Sequence, residues 1–247
     1  MIDPFVLLTP LLVLGILALV RFVGCFIKPS RPDAGGPITF QQLSEADQIS
    51  NNDNISTPAF LNAVASGNLM VVWIWYHSGV ESVSVVTDTA NNTYQRAVGP
   101  TPGLPSFPNR SQEIWYAKNI SPGANLIVTA TFSGTFNDKK AISAHEYSGA
   151  NQNDPVDVTN GMPVVNAAHG SSVAASTGTP ITTDARLIFG AALFAGTGTS
   201  TSDFMQRSSS SGNVTEDKQI TSSGSYAATF TVTSGTPDWI AQMVAFK

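Results

Sequence analysis

A single cysteine, Cys25, leaves the chain without any internal disulfide. Charge is scarce as well: Asp, Glu, Lys and Arg make up 12% of the residues, about half of the roughly 25% usual in soluble globular proteins. Only 12 basic residues stand against 17 acidic ones, for a net charge of −5, so no electrostatic footprint for nucleic acid is expected. The three histidines, His77, His145 and His169, lie far apart in the chain and show no H-x-x-x-H spacing of the kind that holds a transition metal. No G-x-S-x-G elbow surrounds any serine. Beyond residue 27 no sustained helical period occurs, which argues against a helical domain.

Ser, Thr, Asn and Gly take the place of the missing charges. A hydrophobic content of 42% over 247 residues supports a substantial core, in one large β domain or two small ones. An uncharged polar surface suits an exported β-protein better than a cytosolic enzyme.

Residues 1–27 read as a separate unit. The run from Phe5 to Val20 carries no charge; after Arg21 the apolar character resumes to Ile27. At about 23 residues, it is long enough as a helix to cross a ~30 Å hydrocarbon layer. Arg21 would snorkel to the interface beside Lys28 and Arg31. A cleaved signal peptide lacks its basic n-region and its A-x-A site here. A lipoprotein signal has Gly24 before Cys25 in its favour but also lacks the basic start. An uncleaved membrane anchor is the preferred reading, and packing of this helix against copies of itself in a fibre or shell is the other. The basic residues all follow the run, which by the positive-inside rule would hold the remainder in the cytoplasm, whereas composition points to export. The expected location is therefore exported, at the cell surface or membrane-associated, with orientation open. Residues 28–37, rich in Pro and Gly, form a linker, and residues 38–247 the domain.

Within that domain, Leu69–His77 is apolar on both faces, as a strand covered above and below must be. Arg186–Gly196 has the same two-sided character and reads as its counterpart in the core. Leu126–Phe132 and Tyr226–Val232 alternate cleanly. Asp88–Asn92 and Asn137–Lys140 read as turns, and Gly99–Pro108 as a long surface loop. About ten short strands, separated by Gly, Ser, Asn and Pro, predict an all-β fold: a jelly-roll-like antiparallel β-sandwich preceded by one N-terminal hydrophobic helix. No internal repeat is evident, so one domain is expected.

Five motifs occur in order: VTDTANNTY (Val86–Tyr94), IWYAKN (Ile114–Asn119), HEYSG (His145–Gly149), DPVDV (Asp154–Val158) and a terminal Trp239 with Ala245–Lys247. In these the chain resembles an uncharacterised family of bacterial exported β-sandwich domains found in large surface proteins. Its apolar leader is similar to one preceding other lectin-like sandwich domains. The resemblance implies export and a binding, adhesive or structural role, with no catalytic assignment.

Candidate sites are few. A glycosidase pair needs two carboxylates about 5–9 Å apart across a cleft, and Glu146, Asp154, Asp157 and Glu216 are the acids considered. His145 and Glu146 are adjacent on a strand and so face opposite ways. No cofactor is expected, with calcium at Asp88, Asn91 and Asn92 the one candidate. Trp75, Tyr76 and Trp115 are candidates for stacking on a sugar, with core packing the alternative use of such rings. The leading expectation is a non-enzymatic surface protein, structural or adhesive, partnered through residues 1–27 by a membrane or by copies of itself, and beyond that by a glycan or another surface. A carbohydrate-binding module and a glycoside hydrolase are the alternatives.

Overall fold

Strand formation follows the alternation of buried and exposed side chains, and the computed structural model, which describes residues 36–247, is built from strands almost throughout. The apolar segment 1–27 and most of the linker lie outside the described residues. Sixteen strands occur among the described residues. The first group is β1 (Thr39–Ser56), β2 (Leu69–Tyr76), β3 (Val83–Asp88), β4 (Tyr94–Pro102), β5 (Ser111–Ala117) and β6 (Val128–Ser148). A short hairpin, β7 (Val158–Thr159) with β8 (Met162–Pro163), follows. The second group is β9 (Val165–Ser171), β10 (Ala174–Ser176), β11 (Ile181–Thr182), β12 (Leu187–Ser200), β13 (Met205–Ser208), β14 (Val214–Gln219), β15 (Gly224–Ser225) and β16 (Thr229–Phe246). All their pairings are antiparallel, and the described residues belong to one compact unit.

One sheet has the order β1-β6-β2-β5-β4, with β3 also on β6; the other has β10-β16-β12-β14-β13, with β9 also on β16. They stack as a β-sandwich. Because side chains alternate along a strand, β2 sends Leu69, Val71, Trp73 and Trp75 into the inter-sheet core, where Leu187, Phe189, Ala191 and Leu193 of β12 join them. Each side chain of this size contributes about 1.5–3 kcal/mol when fully buried. The opposite face of β2, Met70, Val72, Ile74 and Tyr76, is covered by the far ends of β1, β3 and β6, which curl over it and add Ile55, Val83, Val86 and Phe132. On the second sheet, Ile188, Ala192 and Phe194 of β12 are covered in the same way by Ala175, Ala228, Phe230 and Val232. Three apolar cores result, one between the sheets and one inside each curl.

The two sheets repeat a single topology. In each, a central strand (β2 or β12) pairs on one side with the last strand of its group (β6 or β16) and on the other with β5 or β14, which carries β4 or β13 at the edge. The register matches too: Leu69 stands opposite Tyr147 as Leu187 stands opposite Phe246. The repeat lies in position rather than in residue identity, which is why it escapes a reading of the sequence.

The strand count exceeds the expected ten, and the turn expected at Asn137–Lys140 is absent. Asn137–Lys140 does not interrupt β6, and β16 runs through Ser234–Pro237 without ending. Both strands bend instead of stopping. On the first, buried Lys140 clamps the bend, its Nζ surrounded by Ser50 O (3.1 Å), Asn52 O (2.8 Å), Asn52 Oδ1 (2.8 Å) and Phe136 O (3.2 Å). At the edge of the same sheet, β1 runs on through the polar stretch to Ser56, since an edge strand needs apolar residues on one side only.

Candidate functional site

Four buried carboxylates, Glu113, Glu146, Asp157 and Asp217, are fasteners. Glu113 on β5 is fully buried; its Oε1 accepts from Tyr76 OH (2.9 Å) and Val83 N (3.0 Å), its Oε2 from Trp115 Nε1 (3.0 Å) and Arg96 Nε (2.8 Å). Glu146 accepts from Ala65 N (2.8 Å), Asn68 Nδ2 (2.6 Å) and Gln42 Nε2 (2.7 Å), pinning the 57–68 loop to the first sheet. Asp157 takes the amides of Val158, Thr183 and Asp184. Asp217 receives Tyr147 OH (2.8 Å) and a bidentate Arg207, the geometry that makes guanidinium–carboxylate pairs strong. All four are buried and held by internal donors, and none of them lines either of the clefts described below.

Two buried groups are tuned by burial. Glu216 lies inside the second curl with the Thr229 amide on its Oε1 (3.1 Å) and is pushed up to about 8, despite the opposing effect of Ser200 and that amide. His145 faces the inter-sheet core, its Nε2 2.9 Å from Thr215 Oγ1 and its ring edge-on to Phe189; burial holds it down at about 4.

Two clefts stand out among the described residues. The larger, about 450 Å³, lies where the halves meet at one end of the sandwich. Trp75 near the end of β2, His77 just beyond it, and the facing stretch of β12 (Leu193, Phe194, Ala195) line it. The loop before β5 adds Ser106–Arg110, β6 adds Lys139, and the turn before β14 adds Ser211 and Asn213. No carboxylate is among its lining residues. Arg110 sits over the Phe107 ring, donates from Nη1 to Pro108 O (3.0 Å), and has a buried Nε without a hydrogen-bond partner. Lys139 Nζ lies 5.4 Å from the Trp75 ring centroid and 3.9 Å from Asp47 Oδ2. His77, beside Asp138 (3.3 Å), is held down at about 4 by burial and then by the charge of Arg110. The smaller cleft, about 280 Å³, is lined by Asn91, Asn92, Thr93, Gln95, Tyr116, Lys118 and Asn119.

The sequence candidates are distributed among these features. Trp75 reaches the wall of the larger cleft but is only 2% exposed. Tyr76 and Trp115 point the other way, into the first curl, where both donate to Glu113. The three rings therefore share no platform. Asp88 binds its own turn: Oδ1 accepts from Ala90 N and Asn92 N (both 3.0 Å), Oδ2 from Asn92 Nδ2 (2.8 Å) and Tyr94 OH (2.9 Å). Asn91 takes positive φ at 58° beside it, and among the described residues no cluster of three His, Cys, Asp or Glu side chains is placed to hold a metal. Of the acids, Glu146, Asp157 and Glu216 are buried in separate places and Asp154 is exposed in the loop before β7. Arg110 and Lys139, the cations of the larger cleft, carried no local signal, because only the stacking of the halves brings them to β12. The Gly- and Pro-rich stretch from Gly99 to Pro108, read as a surface loop, supplies part of its wall.

The chain matches no protein-family model, no curated protein and no solved structure, so what it does has to be argued from this geometry.

Proposed function

We propose that the protein is a non-enzymatic, surface-displayed adhesion or structural protein, in which a jelly-roll-like sandwich is presented by an apolar N-terminal segment that anchors it in a membrane or assembles it with other copies. The observation that carries this reading is how the acids are used. Glycoside hydrolysis needs two carboxylates facing each other across a cleft; neither cleft is lined by one, and the buried carboxylates Glu113, Glu146, Asp157 and Asp217 are each occupied by three or more internal donors. A chain without disulfides that is displayed outside the cell must hold itself by its cores and such internal ties. The test is protease accessibility on intact bacterial cells producing either the full chain or a chain lacking residues 1–27. Display requires that the full chain be retained by the cells and cut from outside, and that the shortened chain be lost from the surface. A full chain found only in the soluble cell interior would overturn the reading.

Binding of a carbohydrate is the second reading, favoured by one observation. Both clefts combine an aromatic or apolar wall with amides and small hydroxyls, the smaller one through Tyr116 flanked by Asn91, Gln95 and Asn119. Such a mixture suits a hydroxyl-rich ligand better than an apolar one.

A further inference from the structure

The larger cleft has a chemistry at odds with the rest of the molecule. The chain as a whole carries −5, yet this cleft is lined by Arg110 and Lys139 and by no carboxylate. Arg110 and Lys139 are both half-buried, so part of each reaches solvent in the cleft. Among the described residues Arg110 has no ion pair within 4 Å, and its buried Nε–H has no acceptor; two acids stand at the rim, Asp47, 3.9 Å from Lys139 Nζ and accepting from Ser211 Oγ (3.1 Å), and Asp138, 3.3 Å from His77 Nδ1. Ser106, Asn109 and Ser211 line the same cleft with small polar groups, and Phe107, Pro108 and Leu193 supply apolar wall. The Trp75 ring is covered, leaving no open face for a planar base to stack on. Its volume of about 450 Å³ falls within the ~300–1,000 Å³ range of small-molecule sites.

We infer that this cleft binds an acidic saccharide unit of a polysaccharide, its carboxylate or sulfate received by Arg110 and Lys139 and its hydroxyls by Ser106, Asn109 and Ser211. The inference rests on the carbohydrate-binding reading above and names its ligand class. A guanidinium with free N–H groups matches the planar fork of a carboxylate or the oxygens of a sulfate ester. The site sits at the seam of the repeat, so a ligand there touches both halves: Arg110 and Lys139 from the first, Leu193 and Ser211 from the second. Neither half carries the site alone.

The experiment measures retention of the full chain on immobilised polygalacturonate, on a sulfated galactan and on a neutral β-glucan. The first two separate carboxylate from sulfate, and the third controls for charge-independent binding. Arg110→Gln and Lys139→Gln are each expected to weaken binding to the preferred acidic matrix by roughly tenfold or more. Lys218→Gln, which removes one positive charge beside Asp203 away from the cleft, leaves it unchanged. Ser106→Trp places an indole at the exposed mouth without entering a core and is expected to block binding, so the inference stays testable even where Arg110→Gln fails to fold. Equal retention of wild type and cleft variants, an equal loss in Lys218→Gln, or no retention on either acidic matrix would each overturn it. Retention on the neutral glucan alone would also overturn it while leaving carbohydrate binding intact, and surface display stands or falls separately on the accessibility of the chain on cells.

Discussion

Glu216, held up at about 8 by burial, and His145, held down at about 4, act on stability in opposite senses. For Glu216 the folded state keeps a proton that the unfolded chain releases near 4.5. Its contribution is therefore full below about pH 4.5 and is lost as pH rises through about 8. For His145 the folded state refuses a proton that the unfolded chain takes up near 6.5, so its contribution is full above that pH and is lost as pH falls through about 4. Urea unfolding between pH 4.5 and 8.5 is expected to show Glu216→Gln gaining stability over the wild type as pH rises, by a few kcal/mol at most; parallel profiles would contradict the assignment. Glu113→Ala strands Tyr76, Trp115 and Arg96 together, and a loss of about 3–5 kcal/mol is expected in the same measurement. Residue-scale legibility was uneven. The opposite facing of His145 and Glu146 follows from strand alternation alone. That Glu146 ties down Ala65 and Asn68 does not, because its partners lie 81 and 78 residues away in the chain.

Among the elements, the two-sided apolar strands are the most legible. Leu69–His77 and Arg186–Gly196 read as buried centres, and the strands they contain, β2 and β12, each occupy the centre of a sheet. The bends were not legible. Exposed polar residues signal a turn and a solvent-facing bend equally well, so Asn137–Lys140 looked like an ending when it is a passage from one layer to the next. The corresponding bend of β16 depends on Gly235, whose φ is 82° and whose Cβ, if present, would lie 2.5 Å from Ala195 O, opposite the bulge between Phe194 and Gly196. Gly235→Val is expected to cost about 1–3 kcal/mol, read as a lowered thermal midpoint. An unchanged midpoint would mean that the bend tolerates other backbone conformations.

At the scale of the whole molecule, the repeat explains both the stability and the placement of the cleft. Tyr147 and Phe246, or His145 and Val244, occupy equivalent positions with different chemistry, so no residue pattern announces the duplication. Each half buries its inner face only against the other. A fragment of residues 36–150 leaves Leu69, Val71, Trp73 and Trp75 without Phe189, Leu193 and Val244, and it is expected to bind a hydrophobic dye and unfold without a cooperative transition. A cooperatively folding fragment would show the halves to be independent. The described residues unfolding in one step, with tryptophan fluorescence and circular dichroism coincident, is the matching outcome for the intact domain. The central claim, that the protein binds rather than transforms, is tested most directly by incubating the full chain with an acidic polysaccharide and measuring, in one sample, the protein retained and the new reducing ends released. Retention without new reducing ends is the expected result. Reducing ends that accumulate with time, and that vanish when a carboxylate is replaced, would contradict it.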